Sequence, residues 1–255
     1  MHCWSLEWHC QSLKKILSIE LDVLWVTGGY GGNVQWLSSS ELIGPGGSSE
    51  GPELPIEVEE HCLVRLDESR VMMIGGFDNT NYETSANTHI YDFDTETWSN
   101  GPALNQARKL LGCGTFTSAA HGGKTMVVVA GGYFLMDSVE FWDPTGDEGW
   151  IQGTVINSLE ITKKNVSLFN FNFSGPALPE ALFGAVVVTN PNGDGVLVVG
   201  GNGSAGPGGH RTSIYELICT SDEQCQWDEL PQKLQVGRSD HVAMLVPDDS
   251  VACKK

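Results

Sequence analysis

Lysine and arginine are scarce in this sequence. They number 14 against 32 aspartate and glutamate residues, which leaves a net charge of −18 at pH 7 over 255 residues. Proteins bind nucleic acids and anionic membrane surfaces through clusters of basic side chains. The charge balance therefore argues against nucleic acid and anionic membrane as partners. It leaves room for a protein partner that carries basic groups.

Long apolar runs are also missing. No stretch approaches the roughly 20 residues needed to cross a bilayer, so no membrane span is predicted. Residues 1–20 contain two lysines and two glutamates and no long apolar stretch before a small-residue cleavage site. This composition is not typical of a secretory signal peptide. We interpret residues 1–20 as an N-terminal extension and residues 21–255 as one domain.

Metal and cofactor motifs are absent from the sequence. The seven cysteines form no CxxC pair and no Cys/His cluster with zinc spacing. We therefore expect no cofactor, no metal ligands and no catalytic residues. Cys219 and Cys225 lie six residues apart in a polar segment, where a disulfide is sterically easy if two strands face each other. Cys62 and Cys113 begin apolar runs and fit buried thiols.

What the sequence does contain is an internal repeat. Four apolar runs end in glycine doublets, at residues 28–29, 75–76, 131–132 and 200–201. A Gly-Pro-x-Leu element, at residues 51–54, 101–104 and 175–178, and a short apolar strand precede each later doublet. A worn fourth copy of the element follows the last doublet, at residues 229–231. An aromatic residue and then a tryptophan follow each later doublet. The pairs are Tyr91 and Trp98, Phe141 and Trp150, and Tyr215 and Trp227.

Each repeat predicts four short strands, namely an inner strand, a glycine-ended strand, an aromatic strand and a tryptophan-bearing strand. The first repeat keeps only the start of its second half, at residues 39–43, and lacks the tryptophan. One such sheet cannot bury both of its faces alone, whereas several packed radially can.

This order of elements resembles the kelch repeat over about residues 21–247. The resemblance implies an all-β fold, a kelch-like β-propeller with four recognisable four-stranded blades. Kelch propellers usually have five to seven blades, and residues 251–255 carry no fifth doublet. We therefore expect a fragment, a degenerate propeller or a small ring. In a ring, residues 241–246 would supply the inner strand of the first blade, with residues 9–20 as the alternative.

The resemblance places a partner-binding face on the loops that follow the glycine strands and on those between blades. Arg108, Arg211 and Arg238 lie in these loops and could hold a carboxylate through bidentate hydrogen bonds. Ion pairs within an acidic protein explain Arg108 and Arg238 equally well.

Aromatic residues also lie in these loops. Tyr30, Phe77 and Tyr133 directly follow doublets, and this regularity indicates a repeated packing role. Tyr82 has no counterpart in the other repeats, which makes it a candidate for partner contact.

Three Asn-x-Ser sequons begin at Asn165, Asn172 and Asn202, in predicted loops. Each matches the acceptor pattern for N-glycosylation. With the close pair Cys219 and Cys225, they favour a secreted or extracellular protein over a cytoplasmic one.

The sequence therefore predicts a non-catalytic module that binds a protein, basic or carboxylate-bearing, with a glycan as another candidate ligand. An alternative is an enzyme of the galactose-oxidase-like or sialate-isomerase-like propeller type. It is disfavoured because the scattered histidines show no metal spacing. A second alternative is an intracellular substrate adaptor of a ubiquitin ligase. Such adaptors carry a helical domain, and residues 1–20 are too short to contain it.

Overall fold

The computed structural model describes residues 24–31, 35–44, 46–118, 122–134, 136–152, 176–203, 209–219, 225–241 and 243. Within these ranges all helix or strand structure is β-strand. No helix among them is long and apolar enough to pass through a membrane.

The chain divides into two compact units, residues 1–109 and residues 110–255. The strands of unit 1 are β1 (Leu24–Thr27), β2 (Tyr30–Gly31), β3 (Gln35–Trp36), β4 (Ser40–Gly44), β5 (Gly47–Glu50), β6 (Val58–Glu59), β7 (Cys62–Arg65), β8 (Arg70–Ile74), β9 (Phe77–Asp78), β10 (Glu83–Thr84), β11 (Thr88–Asp92) and β12 (Thr97–Asn100). They form sheets in the orders β1-β4-β5, β2-β3, β10-β9-β6 and β12-β11-β8-β7.

Unit 2 is built in the same way. Its strands are β13 (Gly112–Ser118), β14 (Lys124–Ala130), β15 (Val139–Trp142), β16 (Ile151–Gln152), β17 (Leu182–Phe183), β18 (Val186–Thr189), β19 (Gly195–Val199), β20 (Asn202–Gly203), β21 (Ile214–Cys219) and β22 (Cys225–Glu229). They form sheets in the orders β13-β14-β15-β16, β17-β20 and β18-β19-β21-β22. All pairings in both units are antiparallel.

The all-β prediction is confirmed, and the second, third and fourth repeats each form a four-stranded antiparallel sheet. The first repeat differs from its prediction. Its second half does include a further strand, β5, which pairs with β4 although it carries no tryptophan. Backbone hydrogen bonds suffice for this pairing, and the side chains of β5 are exposed. The blade number and ring closure stay predictions. Residues 9–20 and 244–246, proposed as closing strands, lie outside the described residues.

The glycine doublets make the same two hydrogen bonds in every repeat. The first glycine donates its N–H to the residue just before the aromatic strand, as Gly28 does to Ser39 at 3.0 Å and Gly200 does to Ser213 at 3.0 Å. The second glycine donates to the carbonyl of the connection that leads to the next repeat. These bonds run from Gly29 to Val58, Gly76 to Arg108, Gly132 to Leu182 and Gly201 to Arg238, at 2.8–2.9 Å.

The same carbonyls leave no room for a side chain on the first glycine. Gly28 and Gly200 have φ of +54° and +62°, a region that residues with a Cβ rarely adopt. A Cβ at Gly200 would lie 2.6 Å from the carbonyl oxygen of Arg238. The connection can therefore approach the strand end only because the doublet lacks side chains.

Tryptophans reinforce the link between the Gly-Pro-x-Leu elements and the sheets. The indole N–H of Trp98 donates to the carbonyl of Glu53 at 2.8 Å, and that of Trp227 donates to Pro176 at 3.0 Å. Both tryptophans are partly buried, and these hydrogen bonds satisfy their indole N–H groups. Each acceptor lies in the element that precedes the sheet carrying the tryptophan, which explains why the two motifs recur in step.

We expect Gly200→Ala to lower the free energy of unfolding more than Gly193→Ala. Gly193 also has a positive φ, +77°, but a Cβ there would meet nothing within 4 Å. The control variant should cost about 1–2 kcal/mol for the left-handed conformation. Gly200→Ala should cost about 1–3 kcal/mol more, because the Arg238 carbonyl must move. Urea unfolding monitored by tryptophan fluorescence measures both, and equal losses would contradict this account of the doublet.

Candidate functional site

An exposed aromatic surface lies on unit 1. It consists of Tyr30 in β2, Trp36 in β3, Phe77 in β9 and Tyr82 in the turn before β10. The Trp36 ring contacts Tyr30 at 6.0 Å and Tyr82 at 5.5 Å between centroids, and Phe77 contacts Tyr82 at 6.3 Å. All three contacts are edge-on. Tyr30 is 55% exposed and Tyr82 is 66% exposed.

The turn that carries Tyr82 is built by Asp78. Its Oδ1 accepts the backbone N–H groups of Thr80 at 2.8 Å and Asn81 at 3.2 Å, and its Oδ2 accepts the side-chain amide of Asn81 at 2.8 Å. Aspartate often organises turns in this way. Tyr82 then adopts a positive φ of +58°. The buried carboxylate therefore holds the backbone that presents the exposed ring.

Charged groups adjoin this aromatic surface. The Lys109 Nζ lies 4.8 Å from the centroid of the Phe77 ring and 2.8 Å from Glu60 Oε2. Glu59 pairs with Phe77 across β6 and β9, so the two side chains share one face of that small sheet. Glu83 directly follows Tyr82 but pairs with Asp78, so it lies on the other face of the sheet from Phe77. The surface thus combines aromatic rings with the carboxylates of Glu59 and Glu60.

The structure only partly fits the packing role that was predicted for the three aromatic residues directly after doublets, namely Tyr30, Phe77 and Tyr133. All three make ring contacts, which fits packing. However, Tyr30 and Tyr133 are 55% and 39% exposed, and Phe77 is only partly buried. In unit 2, Phe134 follows Tyr133, has a φ of +73° and is 75% exposed. Exposed rings after the doublets therefore occur in both units.

Arg211 lies in an internal network of unit 2. Its Nε donates to Glu180 Oε2 at 2.6 Å, and its Nη1 donates to the Gly209 carbonyl at 3.1 Å. The hydroxyl of Tyr215 donates to the other oxygen of Glu180 at 2.8 Å. Burial, together with the Glu180 carboxylate, raises the pKa of Tyr215 to about 12. This guanidinium already has a carboxylate partner within the chain.

Arg108 and Arg238 occupy equivalent backbone positions, because each carbonyl accepts the N–H of the second glycine of a doublet. Their side chains differ. Arg108 is 0% exposed and donates to Gln106 Oε1 at 3.2 Å, so it would need rearrangement to reach a partner. Arg238 is exposed, and among the described residues no carboxylate lies within ion-pairing distance of it. As partner-binding residues, all three arginines and Tyr82 stay predictions.

The predicted disulfide is confirmed. Cys219 and Cys225 are directly paired across β21 and β22, with Cα atoms 4.0 Å apart, and their sulfur atoms are bonded. The expectation of buried thiols at Cys62 and Cys113 is wrong, since both are disulfide-bonded cysteines. The expected burial holds for Cys113, whereas Cys62 is only partly buried, and an apolar run says nothing of a cysteine's oxidation.

Of the three sequon asparagines, Asn202 alone lies within the described residues. Asn202 begins strand β20, where it pairs with Phe183, and it also bridges to His210. It therefore lies in a short strand and not in the predicted loop, because this segment pairs back onto β17. Asn165 and Asn172 lie outside the described residues. Glycosylation and an extracellular location stay predictions.

No three His, Cys, Asp or Glu residues within the described ranges lie close enough together to hold a metal ion. His61 has a structural environment instead. Its Nε2 lies 2.8 Å from Thr27 Oγ1, and a Cβ on Gly28 would meet its ring at 3.2 Å. Burial lowers the pKa of His61 to about 4. His61 is thus a neutral ring packed against a glycine doublet.

Comparison with known proteins gives two findings. An F-box/kelch-repeat protein of Arabidopsis thaliana is 25% identical over 103 residues, which are 39% of this chain and 23% of that protein. The solved structure of YjhT, a kelch-type propeller, matches with a TM-score of 0.58 at 15% identity, covering 85% of this chain and 69% of that one. The fold is similar to that of a kelch-type propeller. No family model matches the chain.

Sequence reasoning missed Trp36 and Lys109. Trp36 lies seven residues after the first doublet and has no counterpart in the other repeats, so alignment of the repeats did not select it. The same absence of a counterpart did select Tyr82. Applied to every aromatic residue near a doublet, that criterion would have found Trp36. Lys109 directly follows Arg108, but the prediction of carboxylate-binding residues considered arginines alone.

We expect His61 to make stability depend on pH. Its pKa in the folded protein, about 4, is below its ordinary value of 6.5, so the unfolded chain binds the proton more readily. The stability contribution is complete above pH 6.5 and falls by up to about 3 kcal/mol as the pH drops towards 4. Urea unfolding at a series of pH values should show a smaller loss of stability across this window for His61→Gln than for the original protein. Identical pH profiles for the original protein and His61→Gln would contradict the assignment.

Proposed function

We propose that this chain is a non-catalytic protein-interaction module that binds its partner through the aromatic surface of unit 1. The observation that carries the proposal is Tyr82, which is 66% exposed while its ring rests edge-on against Trp36 and Phe77. Tyrosine and tryptophan are enriched in protein interfaces because they bury much area with few rotatable bonds. A ring that neighbours already hold loses little entropy on binding.

The proposal extends to the finer description of the fold. Each of the four sheets in which a strand ends directly before a glycine doublet is a kelch-like blade. The two hydrogen bonds that every doublet repeats support this description. The similarity to a kelch-repeat protein and to a kelch-type propeller supports it as well. Kelch-type relatives also support a protein as the partner.

The similarity to an F-box/kelch-repeat protein favours a second candidate, an intracellular substrate adaptor of a ubiquitin ligase. The matched segment spans less than a quarter of that relative, so the similarity does not extend to the rest of that protein. An adaptor also needs a helical domain that contacts the ligase. The full-length transcript tests this candidate, because an open reading frame without such a domain would remove it.

We expect Tyr82→Ser to weaken partner binding about tenfold or more, since an exposed aromatic anchor at an interface centre contributes 1.4 kcal/mol or more. The measurement is quantitative affinity capture followed by mass spectrometry, with tagged original and variant proteins at equal concentration. Val236→Ser is the matched control, because Val236 is an apolar side chain that is 62% exposed and lies outside the aromatic surface. Proteins captured equally by all three forms would contradict the proposal.

A further inference from the structure

We infer that the aromatic surface of unit 1 binds a lysine or arginine side chain presented by a basic segment of the protein partner. This inference rests on the proposed function, because it names the chemistry of the partner at the same surface. Three features of unit 1 carry it: the arrangement of the rings, a cation already bound to one of them, and the carboxylates around them.

The rings form walls at steep angles to one another. The Trp36 and Tyr82 planes meet at 82°, the Phe77 and Tyr82 planes at 87°, and the Tyr30 and Trp36 planes at 65°. Each edge-to-face contact covers one face of one of its two rings and leaves the other ring's faces uncovered by that contact. A ring face carries partial negative charge that attracts an ammonium or guanidinium group. With Tyr30 and Tyr82 more than half exposed, such a group can reach them from solvent.

The protein itself places a cation on this surface. The Lys109 ammonium lies 4.8 Å from the centroid of the Phe77 ring, within the distance at which cation–π attraction operates. Its charge is balanced by Glu60 at 2.8 Å. The pairing of one ring, one cation and one carboxylate shows the type of contact that the neighbouring rings offer to a partner.

Carboxylates around the rings complete the match to a cation. Glu59 shares a face with Phe77, and Glu57 lies two residues before Glu59, where its backbone carbonyl accepts the N–H of Asn79 at 3.0 Å. In the described part of the chain, these two side chains make no ion pair or hydrogen bond. Lys109, the basic group over the Phe77 ring, is engaged with Glu60. The surface therefore carries carboxylates that no basic side chain neutralises, and their negative charge attracts a basic partner.

A carboxylate-bearing partner fits less well. It would need free arginines, yet Arg108 is fully buried and Arg211 is engaged with Glu180. Only Arg238 among the three is exposed. With one exposed guanidinium among these three candidates, an acidic protein offers only weak attraction for an acidic segment.

The experiment measures binding of the full chain to labelled peptides by fluorescence anisotropy at low and high salt. One eight-residue peptide carries lysines separated by glycine and serine, and its control carries acetyl-lysine at the same positions. We expect the lysine peptide to bind at least tenfold more tightly than the acetylated one. Tyr82→Leu should weaken lysine-peptide binding about tenfold, since leucine keeps apolar area but removes the ring. Val236→Ser should bind as the original protein does.

Tyr82→Leu leaves the net charge unchanged, so it separates the aromatic surface from general attraction to an acidic protein. Glu59→Gln is a second variant that tests the carboxylate. It should weaken binding severalfold at low salt and less at high salt. Thermal unfolding checks that each variant is folded. Equal binding of the two peptides, or unchanged binding by both Tyr82→Leu and Glu59→Gln, would overturn the inference.

The two proposals fail in different ways. If Tyr82→Ser loses captured partners while the peptides show no preference for lysine, the protein-binding function stands and the cationic partner is wrong. If Tyr82→Ser loses nothing and the peptides do not discriminate, both proposals are wrong.

Discussion

The backbone hydrogen bond from the second glycine of each doublet to the following connection fixes where that connection runs. In all four repeats the acceptor carbonyl lies 2.8–2.9 Å from the glycine nitrogen. The first glycine of the doublet lies against the same carbonyl in the first, third and fourth repeats, with no space for a Cβ. The hydrogen bond therefore restrains the backbone position of the connection, although the connection has little regular structure of its own. The doublet therefore determines both the end of a buried strand and the path of an exposed loop.

That constraint explains why exposed aromatic residues can form a defined surface. Tyr30 and Phe77 come directly after doublets, and Glu59 lies on the connection whose Val58 carbonyl accepts from Gly29. The Asp78 turn then places Tyr82 against Trp36 and Phe77. A rigid backbone under exposed rings reduces the entropy lost when a partner binds. The surface thus depends on the glycine doublets, although no glycine touches a partner.

The repeat could be predicted from the sequence because its motifs are local. Glycine doublets and the aromatic residues that follow them mark strands locally, and strands formed around all four doublets. Trp150 lies just before its strand, β16. Side-chain environments could not be predicted in this way. Arg108 and Arg238 share a motif position and a backbone hydrogen bond, yet one is buried and the other exposed. Burial depends on what packs over a residue, and the local motif does not contain that information. The same limit applies to Trp36, whose neighbours come from β2 and from the Tyr82 turn.

Ion pairs within the chain determine which surfaces carry the excess negative charge. Several basic side chains are neutralised within the chain, as in Lys109 with Glu60, Lys124 with Asp143 and Arg211 with Glu180. Each pairing uses one carboxylate and removes one cation that could repel a basic partner. Because acidic residues outnumber basic ones by 18, pairing leaves carboxylates in excess. Where that excess adjoins exposed rings, as at Glu59 beside Phe77, electrostatic attraction and cation–π contact favour the same ligand group. Net charge alone would attract any cation to any part of the protein, whereas the rings of unit 1 give that attraction a specific place.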